Sequence, residues 1–98
     1  MIGCDIVKIS RFSRQPERWA AKILTDDEQQ ELSKRVDKLN YLAGRWAVKE
    51  AIYKINKKSL SLSILNDQEG KPYVKGHPEI KISISHEDKY CIAVAILL

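Results

Sequence analysis

The stretch "DKLNYLAGRWAVKEAIYKIN" (37–56) constrains the fold of this chain more than any other. Wound as a helix, at about 100° per residue, it is apolar on two sides. Leu39, Ala43, Trp46 and Tyr53 make one side; Tyr41, Val48 and Ile52 make the other. Such a helix is central and buried, and the rest of the chain must cover it. Gly44 within it costs about 1 kcal/mol against alanine, which close packing of a neighbour would offset. Glu50 falls in the middle of the first stripe, with Lys49 before it and Lys54 one turn after. Two readings stay open. One is an i,i+4 ion pair with Lys54, worth about 0.3–0.5 kcal/mol if exposed. The other is an inward carboxylate, which must then be paired, protonated or bound to a metal.

The segments around this helix read in order. "IGCDIVKI" (2–9) is a short apolar strand that places Asp5 on one face with Val7 and Ile9. Pro16 suits a first helical turn, where its missing N–H would be unpaired anyway. Thr25 and Glu28 have capping-box spacing, and Asp26 and Asp27 complement the positive helix end. That acidic cluster is explained by helix initiation. "LSLSIL" (60–65) alternates as a strand, with Leu60, Leu62 and Ile64 on one face. "NDQEGKP" (66–72) is a turn, and 73–74 starts a return strand. "EIKISIS" (79–85) alternates with Ile80, Ile82 and Ile84 inward, "HEDK" turns the chain, and 90–98 is a nearly all-apolar final strand. Strand, helices, then several strands give an α+β class: one small domain, 1–98, with a central buried helix against a mainly antiparallel sheet.

Ninety-eight residues allow one domain with a modest core, which oligomerisation would help. A net charge of +4 favours an acidic partner without choosing among nucleic acid, acidic protein and phosphate-rich small molecule. Cys4 and Cys91 lack the spacing of a zinc or redox site. They read as buried free thiols, which fits a reducing, cytoplasmic setting. No apolar run reaches the roughly 18 residues of a membrane span.

Asp5 alone reads as a strand-end capping residue. Asp5 and Glu50 together suggest a hard-cation site, because Mg²⁺ takes one or two protein carboxylates and completes its shell with water and substrate phosphate. Lys49, Lys54, Lys57 and Lys58 would then put positive charge near a phosphate, although cations also favour a helix C-terminus on their own account. His86, at a strand end, reads as a structural hydrogen-bonder, and His77 as an exposed turn residue.

Four motifs then point to one family. "GCDIVKISR" resembles the G-x-D-[IV]-V-x-I-x-R opening of holo-acyl-carrier-protein synthases, and "LAGRWAVKEAIYK" is similar to their [FW]-x-x-K-E-A-x-x-K motif. "LNDQEGKPYV" resembles their asparagine-rich turn into Gly-Lys-Pro, and "ISISHEDKYCIAVAIL" their closing Ser-x-Ser-His hairpin. The four stand in order along the whole chain.

The resemblance implies a phosphopantetheinyl transferase-like fold and a reaction. The 4′-phosphopantetheine arm of coenzyme A moves to a serine of apo acyl carrier protein, with adenosine 3′,5′-bisphosphate as the other product, in the service of fatty acid biosynthesis. By position Asp5 and Glu50 match the family's Mg²⁺ ligands, and Lys54 a lysine near the transferring phosphate. Asp5, directly or through a metal-bound water, would take the serine proton. Arg45, Pro72 and His86 fall in segments that line the coenzyme A site, beside Lys54. A homotrimer with sites between subunits is implied too. The chain departs from the family where "INKKSLSLS" runs almost directly into the next strand without the family's longer loop. Lys57 and Lys58 would hold phosphate there in place of that loop. Arg14, Arg18 and Lys22, spaced four apart, are expected on one helical face that docks the acidic carrier protein. The competing reading, a basic α+β module that holds nucleic acid, calls for aromatics interleaved with arginines on an exposed face. Trp46 and Tyr53 are expected inward instead.

Overall fold

The computed structural model describes residues 1–56 and 58–98. Strand β1 (Ile2–Lys8) leads through a 3₁₀ turn (Ile9–Phe12) to helices α1 (Pro16–Ile23), α2 (Asp26–Ser33) and α3 (Lys38–Asn56). Strands β2 (Ile64–Asn66), β3 (Pro72–Val74), β4 (Ile80–Glu87) and β5 (Tyr90–Leu97) follow. β1, β5 and β4 form an antiparallel sheet in that order, and β2 and β3 a separate hairpin. The expected α+β architecture, with α3 at its centre, is the one found.

α3 is covered on two sides by different partners. The sheet packs where its residues are small. Gly3 of β1 lies against Ala51 and Ile55, and Ile84 and His86 of β4 lie over Gly44. β5 turns Cys91, Ala93 and Ala95 inward, all fully buried. Short side chains at the sheet's centre let a helix approach closely. On its other side α3 meets α2 and β2 through Tyr41, Arg45 and Lys49, all buried. Phe12, Trp19 and Trp46 join α1 to α3 as an edge-to-face cluster, with centroids 5.2, 6.5 and 6.1 Å apart.

α2 begins with the predicted capping box. Thr25 Oγ1 accepts from the Glu28 amide and Glu28 Oε1 from the Thr25 amide. Glu28 does more than cap, since its side chain is fully buried and paired with Lys49 at 2.6 Å.

Four expectations need correction. The strand expected over 60–65 begins only at Ile64; Leu60 lies in a turn, 56% exposed, where the Leu62 amide returns to Ser59 O. Alternating Leu and Ser fits a turn as readily as a strand, because serine caps turns. Cys4 is exposed, not buried. β1 turns Gly3, Asp5 and Val7 to the helix, which leaves Ile2, Cys4 and Ile6 on the outer face. Tyr53 is 52% exposed, and Leu39 and Trp46 are half-buried. Two basic residues, Arg45 and Lys49, occupy the interior instead. Finally, Lys49 does not serve a phosphate. Its ammonium is spent on Glu28 Oε1, Ile23 O and Leu60 O.

Candidate active site

β1 crosses α3 one turn before the helix ends. Asp5 comes from the middle of β1, its side chain 19% exposed; Glu50, half-buried, and Lys54 come from successive turns of α3. The close approach of Gly3 to Ala51 sets the crossing. There the Lys54 ammonium donates to Cys4 O at 2.6 Å and stands 3.5 Å from Asp5 Oδ1. Lys54 therefore pairs across to β1 and not with Glu50, so among the described residues the i,i+4 pair is not formed. Asp5 and Lys54 are brought together, and Glu50 is one turn from Lys54 on the same helical side.

The donor set is two carboxylates of hard oxygen. Among the described residues no three His, Cys, Asp or Glu side chains converge. Asp5 and Glu50 are thus no closed metal cage. They fit an ion such as Mg²⁺, which keeps most of its shell for water and a substrate's phosphate oxygens.

Three further residues occupy distinct places. The Arg45 guanidinium is inside the protein: Nε donates to Ile64 O at 2.8 Å, Nη2 to Glu31 Oε1 and Asn66 Oδ1 at 3.0 Å each, and it stacks 4.0 Å from the Tyr41 ring centroid. Pro72 opens β3 after a turn built by Asp67, whose carboxylate accepts from the Glu69 and Lys71 amides at 2.9 Å. Positive φ at Gly70, 84°, completes that turn. His86 is exposed near the end of β4, its Nε2 3.2 Å from Asn40 O. Lys57, assigned a phosphate contact from sequence, lies outside the described residues; Lys58 is exposed.

Burial dominates the titration of the groups behind the site. It pushes the Lys49 ammonium below the usual lysine value against the pull of Glu28. Burial likewise lifts the Tyr41 phenol above its ordinary value. The Cys91 thiol, inside the sheet opposite Val7, rises to about 11 through burial, with the Asp5 charge adding to it.

The basic segment near α1 differs from its expected form. Gln15 has left-handed backbone, φ 57°, and α1 starts only at Pro16. Arg14 therefore precedes the helix and shares no helical face with Arg18 and Lys22; spacing of four carries no face across a left-handed residue. Arg18 and Lys22, both exposed, flank a hollow of about 250 Å³ with Gln15 and Trp19. The Lys22 ammonium stands 5.7 Å over the Trp19 ring.

Sequence reasoning missed Gly3 and the set Glu28, Glu31 and Lys49. A glycine inside a strand signals close backbone approach, and Gly3 carried that signal. The charged set carried none, because hydropathy counts such residues as surface.

Known proteins resemble this chain over nearly its whole length. Residues 1–95 match the sequence profile of the 4'-phosphopantetheinyl transferase superfamily. The holo-[acyl-carrier-protein] synthase of Acholeplasma laidlawii is 40% identical over 110 residues, covering 98% of this chain and 93% of that one. That of Mycoplasma mobile is 38% identical over 96 residues, covering 98% and 87%. Among solved structures, a Bacillus anthracis holo-(acyl-carrier-protein) synthase in complex with CoA (3',5'-ADP) superposes with a TM-score of 0.84 at 31% identity, covering 98% of this chain and 93% of that one. The Helicobacter pylori synthase in complex with coenzyme A gives 0.79 at 29% identity, with both chains covered in full. The sequence match over residues 1–95 and the shared fold make the chain a member of this transferase superfamily. The chain belongs to its holo-acyl-carrier-protein synthase family, and is an enzyme.

Proposed function

We propose that this chain, as one domain over 1–98, transfers 4′-phosphopantetheine from coenzyme A to a serine of apo acyl carrier protein, with Mg²⁺, releasing adenosine 3′,5′-bisphosphate. The observation that carries the reading is the meeting of Asp5 and Lys54 where β1 crosses α3, one turn from Glu50. The serine oxygen bonds to the phosphorus that bears the pantetheine arm, and the pyrophosphate P–O bond breaks. Asp5 is the acceptor for the hydroxyl proton. Lys54, half-exposed at the helix end, donates to the oxygens that gain charge as the bisphosphate leaves. Asp5 and Glu50 would hold Mg²⁺, which supplies charge neutralisation for the pyrophosphate oxygens when bound. Pro72 and His86 line the coenzyme A site, with Arg45 behind the turn that carries Pro72. Arg18 and Lys22, with Arg14 beside them, meet the acidic carrier protein.

The reading extends to a homotrimer working in the cytoplasm. The outer sheet face supports the assembly: Ile2 and Ile96, and Ile6 and Ile92, are register neighbours there, 37–69% exposed. An apolar face of this kind on so small a chain calls for a partner copy. Two free cysteines fit a reducing compartment. No helix of the described residues is long and apolar enough to cross a membrane.

Mass spectrometry of apo carrier protein incubated with coenzyme A, Mg²⁺ and this chain tests the reaction. A phosphopantetheine adduct on one serine is expected; unmodified carrier protein overturns the reading. Analytical ultracentrifugation tests the assembly, with Ile6→Lys expected to sediment as a monomer and the parent chain as a trimer.

A further inference from the structure

The β2–β3 hairpin is too small to hold itself. Each strand has three residues, and among the described residues the two pair only with each other. An isolated two-stranded hairpin is marginal in water. Backbone bonds flank the paired strands, from the Lys75 amide to Ser63 O and from the Asp67 amide to Lys71 O, each 2.9 Å. Ile64 and Asn66, between these positions, therefore point their peptide groups away from β3, toward what would be an unpaired edge.

That edge is taken by side chains. Glu28 Oε2 accepts the Ile64 N–H at 2.7 Å, Glu31 Oε2 accepts the Asn66 N–H at 2.9 Å, and Arg45 Nε donates to Ile64 O at 2.8 Å. Two carboxylates one turn apart on α2, and one guanidinium from α3, stand in for a third strand. The remaining oxygen of each carboxylate is held by α3. Lys49 donates to Glu28 Oε1 at 2.6 Å; Arg45 and the Tyr41 hydroxyl donate to Glu31 Oε1 at 3.0 and 2.7 Å. Arg45 also reaches Asn66 Oδ1. Four of these bonds end on β2 and the others tie α2 to α3, so together they link the hairpin to the helix that carries Glu50 and Lys54. Buried ion pairs add little net stability over apolar packing, so fixing one geometry is the better account of four charges here.

We infer that Glu28, Glu31, Arg45 and Lys49 form a clamp that positions the Lys71–Pro72 corner of the hairpin for coenzyme A, and are positioning residues for its binding. The inference rests on the transfer reading above. It makes the clamp matter to one substrate and not to the other.

Glu31→Gln is the first test, because Glu31 lies at the rim of the clamp, its side chain 24% exposed. The variant keeps the shape and loses the charge-assisted bonds. Amide hydrogen exchange at Asn66 is expected to quicken by about ten-fold, with β4 and β5 unchanged, and the calorimetric Kd for coenzyme A to rise by about ten-fold. The kcat at saturating coenzyme A and the KM for carrier protein should stay within about two-fold. Asn66→Ala, which removes one acceptor of Arg45 and leaves all four charges in place, should shift coenzyme A affinity in the same direction. A loosened Asn66 amide with unchanged coenzyme A affinity overturns the inference, and so does an amide that exchanges as before. Parent chain that binds no coenzyme A overturns the transfer reading and this inference with it. Parent and Glu31→Gln chains that bind it equally overturn this inference alone.

Discussion

A side-chain carbon on Gly3 would stand well inside the contact distance of the Ala51 carbonyl oxygen. The obstacle is helix backbone, which cannot turn aside as a side chain would. Gly3→Ala must push β1 off α3, and Asp5 travels with β1. We expect this variant to lose about 1–3 kcal/mol of stability and most of its transfer activity together. A urea melt beside a transfer assay checks it; a stable, active Gly3→Ala refutes the crossing described here.

Gly44 makes the opposite case. An added carbon there would lie 3.6–3.8 Å from Ile84 and His86, ordinary contact distances. Gly44→Ala should fit without rearrangement and recover helix propensity, a gain of about 0.5–1 kcal/mol. A lowered Tm would show that β4 needs more room over α3 than these distances indicate.

Lys54 separates catalysis from stability. Its pair with Asp5 is long, at 3.5 Å, and its 2.6 Å bond to Cys4 O is exposed, so losing both should cost only about 1–2 kcal/mol. If the ammonium stabilises charge on the leaving phosphate, Lys54→Ala lowers kcat by about 10²-fold or more. Steady-state kinetics with a melt on the same sample shows which loss dominates.

The Cys91 thiol predicts alkaline behaviour. Its pKa is raised from 9.0 to about 11 by burial, then by Asp5. A thiol raised on folding adds stability while protonated in both states, so that contribution is full below pH 9.0 and fades as the pH climbs toward 11. The loss should amount to roughly 2–3 kcal/mol. Lys49, lowered by burial, works the other way, adding stability as the pH rises toward the ordinary lysine value of 10.5. Comparing melts of the parent and Cys91→Ala between about pH 8 and 11 isolates the thiol: the variant should lose less.

Docking of the carrier protein predicts a kinetic pattern. Arg18→Glu with Lys22→Glu should raise KM for carrier protein, leave KM for coenzyme A alone, and act mainly by slowing association; added salt should mimic it in the parent chain. Arg14→Glu should do less, because Arg14 lies off the helix. Unchanged carrier-protein KM at low salt in the double variant moves the docking surface elsewhere.

What can be read from the sequence follows local chemistry. Pro16, the Thr25–Glu28 box, the long helix and the last two strands each rest on a periodicity or cap within a few residues. Motif likeness points to Asp5 and Lys54, and the structure brings them together. Arg14 is misplaced by a local cause, the left-handed backbone of Gln15 beside it; the other misreadings turn on partners and packing outside the local stretch. Lys49 reads as surface because Glu28 is 21 residues away, and nothing local announces the pair. Leu60 and Leu62 alternate, yet have no strand to pair with. Tyr53 falls in an apolar stripe whose exposure depends on which side of α3 the sheet takes, and the close approach of Gly3 to Ala51 marks that side.

The strand order has a consequence for how the chain comes to be folded. β5 lies between β1 and β4, and it follows every other element in the chain. On a ribosome β1 emerges first and waits, with no edge to join, until β5 is made. The sheet side of α3, its alanines and glycine, is exposed for that interval too. Closing the sheet joins residues as far apart as Ile2 and Ile96, a long-range step that is slow by nature. The helices and the hairpin clamped to them can form earlier, so synthesis passes through a half-built protein with an open apolar flank.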